Sequence, residues 1–125
     1  MKKRILLVED NEATVEVMVV QLKLLGYDVI VTRDGAEAVQ LLAQELPDLI
    51  IMDIQMPKMD GFQALSRIKK DPRTQSIPVL AATAKAMAGD KERCLASGFD
   101  GYLAKPFTHA ELGSAIETCL KMPSA

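Results

Sequence analysis

Apolar residues fall along this chain in short unbroken runs that alternate with stretches patterned at helical spacing. That alternation is the signature of βαβ units built around a parallel sheet. The run Ile5-Leu6-Leu7-Val8 predicts a first strand over 4–9. A helix over 12–25 follows, with Gly26 where a helix commonly closes. A second strand spans 27–32, Asp34-Gly35 turns the chain, and a helix over 36–45 must end before Pro47. Leu49-Ile50-Ile51-Met52-Asp53 predicts the third strand. Next come a loop through Met56-Pro57 and Met59-Asp60-Gly61, then a helix over 62–70 that stops at Asp71-Pro72. The fourth strand, 79–83, tolerates Pro78 at its start, and a short helix over 90–97 closes at Gly98. A brief fifth strand, 101–103, runs to Lys105-Pro106. The last helix starts at Thr108, where Thr108 and Glu111 are spaced as a capping box, and reaches 121.

These elements make an α/β fold of five β/α units, with no repeat, low-complexity stretch or linker, and predict one domain over 1–125 with its core in about 3–121. An open doubly wound sheet fits, and such sheets bind ligands outside the carboxyl ends of their strands. Composition supports a globular protein, at 49% apolar and 26% charged residues. The net charge of −2 and the lack of any basic stretch beyond Lys2-Lys3-Arg4 argue against a nucleic-acid surface. That cluster, with four apolar residues after it, imitates a signal peptide but runs straight into acids. No apolar run approaches the ~20 residues that span a membrane, so a cytoplasmic protein is expected. Cys94 and Cys119 lie far apart with no CxxC and no clustered histidine, and read as ordinary thiols rather than zinc ligands.

Two of the apolar runs end on acids: the first on Glu9-Asp10, the third on Asp53. Unpaired charge at the end of a core strand is costly, so acids there are usually paired, metal-bound or catalytic. The plainer alternatives are surface charge, and a capping role for Asp10 at the first helix. Thr83 and Lys105 fall on the same edge, from strands four and five. Three ionised carboxylates that converge call for a cation, and oxygen ligands suit Mg²⁺. A carboxylate can itself be a nucleophile, forming an aspartyl-phosphate, with a lysine and a hydroxyl nearby to meet the anion. Other phosphate chemistries lack their parts. No Gly-rich loop follows the first strand, where Glu9-Asp10-Asn11-Glu12 would repel a nucleotide or flavin phosphate. No G-x-S-x-G turn is present, and the single histidine, His109, sits beside the cap of the last helix.

The motifs ILLVEDN, LIIMDIQMPKMDGF, VLAATA and GYLAKPF, in this order and spacing, resemble the receiver domains of response regulators. The resemblance covers nearly the whole chain. It implies a flavodoxin-like (βα)5 fold with parallel strands in the order 2-1-3-4-5, the order the chemotaxis regulator of that family exemplifies. It implies that Asp53 accepts a phosphoryl group from a phosphohistidine on a histidine kinase or histidine phosphotransfer protein. Asp10, Asp53 and the backbone carbonyl of Gln55 would hold Mg²⁺, with Mn²⁺ an alternative, and Glu9 would act through a bound water. Lys105 would contact a phosphoryl oxygen, beside a small residue at Ala84. Thr83 would swing to bond the group, and Tyr102 would turn inward behind it. Gln55 and Lys85 occupy the positions that set the phosphoryl lifetime, and the bond before Pro106 is expected to be cis. The domain would signal by altering the surface around the fourth helix, fifth strand and fifth helix, without turnover catalysis, and no DNA-binding part is present in the chain.

Some positions admit two readings. Tyr102 can equally be a strand aromatic packed on the core. In the first helix, Met18, Leu22 and Leu25 make a core stripe, with Ala13, Val17, Val20 and Leu24 beside it. The second stripe is either part of a wide buried face or a docking surface for the phosphodonor. At the level of function, two alternatives stand beside the phosphoacceptor. One is an interaction module that takes no phosphate. The other is a phosphatase of the aspartyl-phosphate type, which would want a second acid where Gln55 stands. The chain reads as a stand-alone receiver, with one receiver cut from a hybrid kinase as the alternative.

Overall fold

The computed structural model describes residues 2–54, 61–83 and 89–121. Strands and helices alternate: β1 (Arg4–Val8), α1 (Glu12–Leu24), β2 (Asp28–Thr32), α2 (Gly35–Leu42), β3 (Leu49–Asp53), α3 (Gly61–Lys70), β4 (Val79–Thr83), α4 (Asp90–Ser97), β5 (Gly101–Ala104) and α5 (His109–Leu120). The strands form a five-stranded parallel sheet in the order β2-β1-β3-β4-β5. The central strands are apolar except at their ends because helices cover both faces. Leu6, Val8, Ile50, Met52 and Ala81 pack with Ala38 and Leu42 of α2, Leu65 and Ile68 of α3, and Cys94 of α4. Ile5, Leu7, Leu49, Ile51 and Leu80 pack on the other face with Met18 and Leu22 of α1 and Leu112 and Ile116 of α5. Each large apolar side chain buried this way contributes about 1.5–3 kcal/mol.

Helix ends follow local chemistry. Asn11, not Asp10, caps α1, with its side chain accepting from the Thr14 amide. α2 stops at Leu42, short of the expected 45. The amides of Ala43, Gln44 and Glu45 instead close a tighter turn onto Gln40 and Leu41 at 3.3, 2.9 and 3.0 Å, ahead of Pro47. α5 opens on the expected capping box, with Thr108 N–H donating to Glu111 at 2.8 Å and Glu111 N–H to Thr108 at 3.0 Å.

Register decides what meets at the carboxyl edge. Val8 pairs with Met52, Asp53 with Ala82, and Thr83 with Ala104. Glu9, the residue after Val8, therefore stands level with Asp53. Lys105 follows one step past Thr83, and its amide donates to the Thr83 carbonyl at 2.8 Å. The Lys105-Pro106 bond is cis, as expected.

Candidate functional site at the carboxyl edge of the sheet

Glu9, Asp10 and Asp53 each present a carboxylate oxygen within 4.8 Å of the other two. Their surroundings differ. Glu9 is 2% exposed, Asp53 is largely buried, and Asp10 faces solvent. A carboxylate as enclosed as Glu9 needs partners. One of its oxygens takes the ammonium of Lys105, and the other accepts from the Asn11 amide at 3.2 Å. The same ammonium lies 3.7 Å from an Asp53 oxygen, so Lys105 sits between two acids. Thr83 is fully buried at the end of β4. Three converging carboxylates with one lysine leave an excess of negative charge, and a hard divalent cation with oxygen preference suits that donor set.

Tyr102 is half-buried and packs on the core beneath α2, α3 and α4, as the core-aromatic reading anticipated. Its hydroxyl is buried with no hydrogen-bond partner among the described residues. Burial raises the phenol's pKa, and Asp90, Cys94 and Glu92 of α4 add to the rise. Gln55, Ala84 and Lys85, named for metal binding, phosphoryl contact and lifetime, lie outside the described residues, as does the Met56-Pro57 segment.

The second stripe of α1 does not belong to a wide buried face. Val17 and Val20 are 58% exposed and Leu24 is 74% exposed, while Ala13 is also on the surface. Ala13 and Val17 border an open groove of about 340 Å³ that continues through Thr14 and Gln21 to Lys105, Pro106 and Phe107. Lys105 thus lines both this groove and the acid cluster. Sequence reasoning missed Phe107 and Gln21. Gln21 reads as an ordinary solvent-facing helix residue, yet its amide oxygen is buried without a partner among the described residues. Phe107 carries no periodic signal because it stands in a turn. Thiol chemistry is not invited: burial pushes Cys119 up to about 11, and Cys94 is also raised, by burial first. Among the described residues no helix is long and apolar enough to cross a membrane.

Comparison with known proteins points one way. A family model for the response regulator receiver domain matches residues 5–117. The polar-differentiation response regulator DivK of Brucella anthropi is 41% identical over 120 residues, which cover 96% of this chain and 98% of that protein. Among solved structures, the receiver domain of a sensor histidine kinase from Pseudomonas aeruginosa superposes with a TM-score of 0.90 at 38% identity, over 98% of this chain and all of that one. That structure holds a magnesium ion coordinated in its active-site cleft. The chemotaxis protein CheY4 of Vibrio cholerae matches with a TM-score of 0.87 at 27% identity, covering 95% of this chain and 99% of its own.

Proposed function

The chain belongs to the response regulator receiver domain family, the signalling domains of two-component phosphorelays, and from that premise we propose that Asp53 is its phosphoacceptor. The observation that carries the proposal is the meeting of Glu9, Asp10 and Asp53 within 4.8 Å of one another, with the Lys105 ammonium set against Glu9 and Asp53. The donor is a phosphohistidine on a histidine kinase or phosphotransfer protein. An Asp53 oxygen attacks phosphorus and the P–O bond forms as the P–N bond breaks. The imidazole nitrogen leaves with the bonding pair and takes a proton from solvent.

Asp10, Asp53 and the carbonyl of Gln55 are the residues to hold Mg²⁺, or Mn²⁺ in its place. When bound, the ion supplies charge neutralisation for the carboxylates and the incoming phosphoryl oxygens. Glu9, with both oxygens already engaged by Lys105 and the Asn11 amide, fits a role at one remove, through water. Lys105 transfers its ammonium from Glu9 and Asp53 to a phosphoryl oxygen. Thr83 donates its hydroxyl to the same group, with Ala84 leaving room beside it, and Tyr102 repacks behind Thr83. Gln55 and Lys85 set how easily water attacks the acyl phosphate. The donor docks on Ala13, Val17, Val20 and Leu24, an exposed stripe whose Ala13 and Val17 border the groove that leads to Lys105. A donor charged from ATP places this exchange in the cytoplasm. The complete acid, threonine and lysine set favours this reading over a phosphate-independent interaction module.

Intact mass after incubation with acetyl phosphate tests the proposal. One added phosphoryl group is expected, only with Mg²⁺ present and not in Asp53→Asn. An adduct that persists in the variant would move the acceptor elsewhere. No adduct in the wild type under any condition would leave an interaction module.

A further inference from the structure

α4 buries little of itself in the core. It is eight residues long, and Cys94 is its only fully buried side chain. Left-handed glycines bound it at both ends, Gly89 with φ 88° and Gly98 with φ 115°, and no side chain caps its first turn. Gly98 closes the far end in the usual way, its amide bonding the Leu95 carbonyl at 3.2 Å and the amide of buried Phe99 the Cys94 carbonyl at 3.1 Å, so the first turn is the less firmly closed end. Arg93 adds a contact beside that turn. The Arg93 guanidinium lies over the Phe62 ring, 4.3 Å from its centroid. Phe62 in turn meets Phe99 edge to face, with centroids 5.8 Å apart and planes at 82°. The ring's own position is firm. Phe62 follows Gly61, which rests against the backbone of β3 so closely that a Cβ there would stand 2.9 Å from the Asp53 carbonyl oxygen. Arg93 therefore ties α4 to the stretch of backbone that carries Asp53. Tyr102 packs on the same cluster as Phe62, its hydroxyl buried with no partner among the described residues.

We propose that Arg93 is a positioning residue, a clasp on Phe62 that holds α4 in the arrangement where Lys105 is paired with Glu9 and Asp53, and so sets how readily the site takes a phosphoryl group. The proposal rests on the receiver reading and specifies its regulation. A phosphoryl group on Asp53 competes for Lys105 and draws Thr83 and Tyr102, and Tyr102 cannot repack without displacing the helix that covers it. The clasp must then open. Coupling between two sites is reciprocal, so whatever weakens the clasp strengthens binding at Asp53 by the same factor. A cation over an aromatic ring at an exposed site corresponds to about a two- to fivefold change in such an equilibrium.

The test uses the whole chain with Arg93→Met, which keeps an apolar stem without charge, and Arg93→Lys, which keeps a cation. Phe62→Leu serves as a second variant that removes the ring and keeps apolar volume. Beryllofluoride with Mg²⁺, a mimic of the acyl phosphate, is titrated while amide NMR signals of Gly89 and Gly98 are followed. Hydrogen exchange is measured over 91–97. Arg93→Met and Phe62→Leu are expected to bind beryllofluoride about two- to fivefold more tightly, with faster exchange across α4, and Arg93→Lys to stay near the wild type. Unchanged or weaker binding in Arg93→Met, even with a lowered Tm, overturns the clasp and leaves Arg93 a packing residue. A wild type that binds no beryllofluoride overturns the receiver reading itself.

Discussion

A Cβ on Gly61 would stand 2.6 Å from the Ile54 Cα and 2.9 Å from the Asp53 carbonyl oxygen. Both neighbours are backbone, which cannot step aside as a side chain can. Gly61→Ala is therefore expected to push α3 away from the end of β3, at a cost of about 1–3 kcal/mol. Urea unfolding measures that cost, and a lowered yield of Asp53 adduct should accompany it. The residues with charge were the legible ones in this sequence. Glu9, Asp10, Asp53 and Lys105 announced themselves because acids and a lysine at the ends of apolar runs have few innocent explanations. Gly61 and Gln21 did not, since their importance comes from what stands beside them. The Asn11 cap was hidden for a related reason. Adjacent Asp10 and Asn11 are equally good caps, and only the local backbone chooses between them.

Helices divide into those whose boundary and burial are written in the sequence and those that depend on neighbours. The capping box of α5 is local chemistry and was readable; the early end of α2 is a competition between turn geometries and was not. α1 lies between. Its apolar positions were plain, but their count alone could not separate a wide buried face from an exposed stripe. The answer depends on how α5 lies beside it: Gly113 of α5 leaves room for Leu25, which a Cβ would approach to 3.2 Å, while Val17, Val20 and Leu24 stay in solvent. Val20→Glu is expected to slow phosphotransfer from the cognate donor at least severalfold, since a buried unpaired charge in an interface is costly. It should change stability by no more than about 0.5 kcal/mol, as for other surface positions. Transfer kinetics and thermal unfolding of the same sample check both halves of that expectation.

For the molecule as a whole, the sheet order and register convert four separate strand ends into one site, and the unfolded chain has no equivalent of it. A ligand of that site must then stabilise the fold by mass action. Mg²⁺ at a hundred times its dissociation constant is expected to add about 2.7 kcal/mol. The rise in Tm should exceed that from NaCl at equal ionic strength, and should be lost in Asp10→Asn. Lys69 contributes to the same framework at the opposite edge, bonding the carbonyls of Gln75 and Ile77 at 3.3 and 3.0 Å and Asp100 at 3.1 Å. Asp100 also accepts from the Val79 amide at 2.8 Å, fixing where β4 begins. The pairing of Lys105 with Glu9 joins residues 96 apart in sequence, and this bears on how the protein is made. A ribosome delivers Glu9 96 residues before Lys105. A nascent or truncated chain that stops short of β5 carries the acids but not the lysine that balances them. Such a fragment is electrically incomplete, so the message can be written only on a molecule whose fifth strand has already been made.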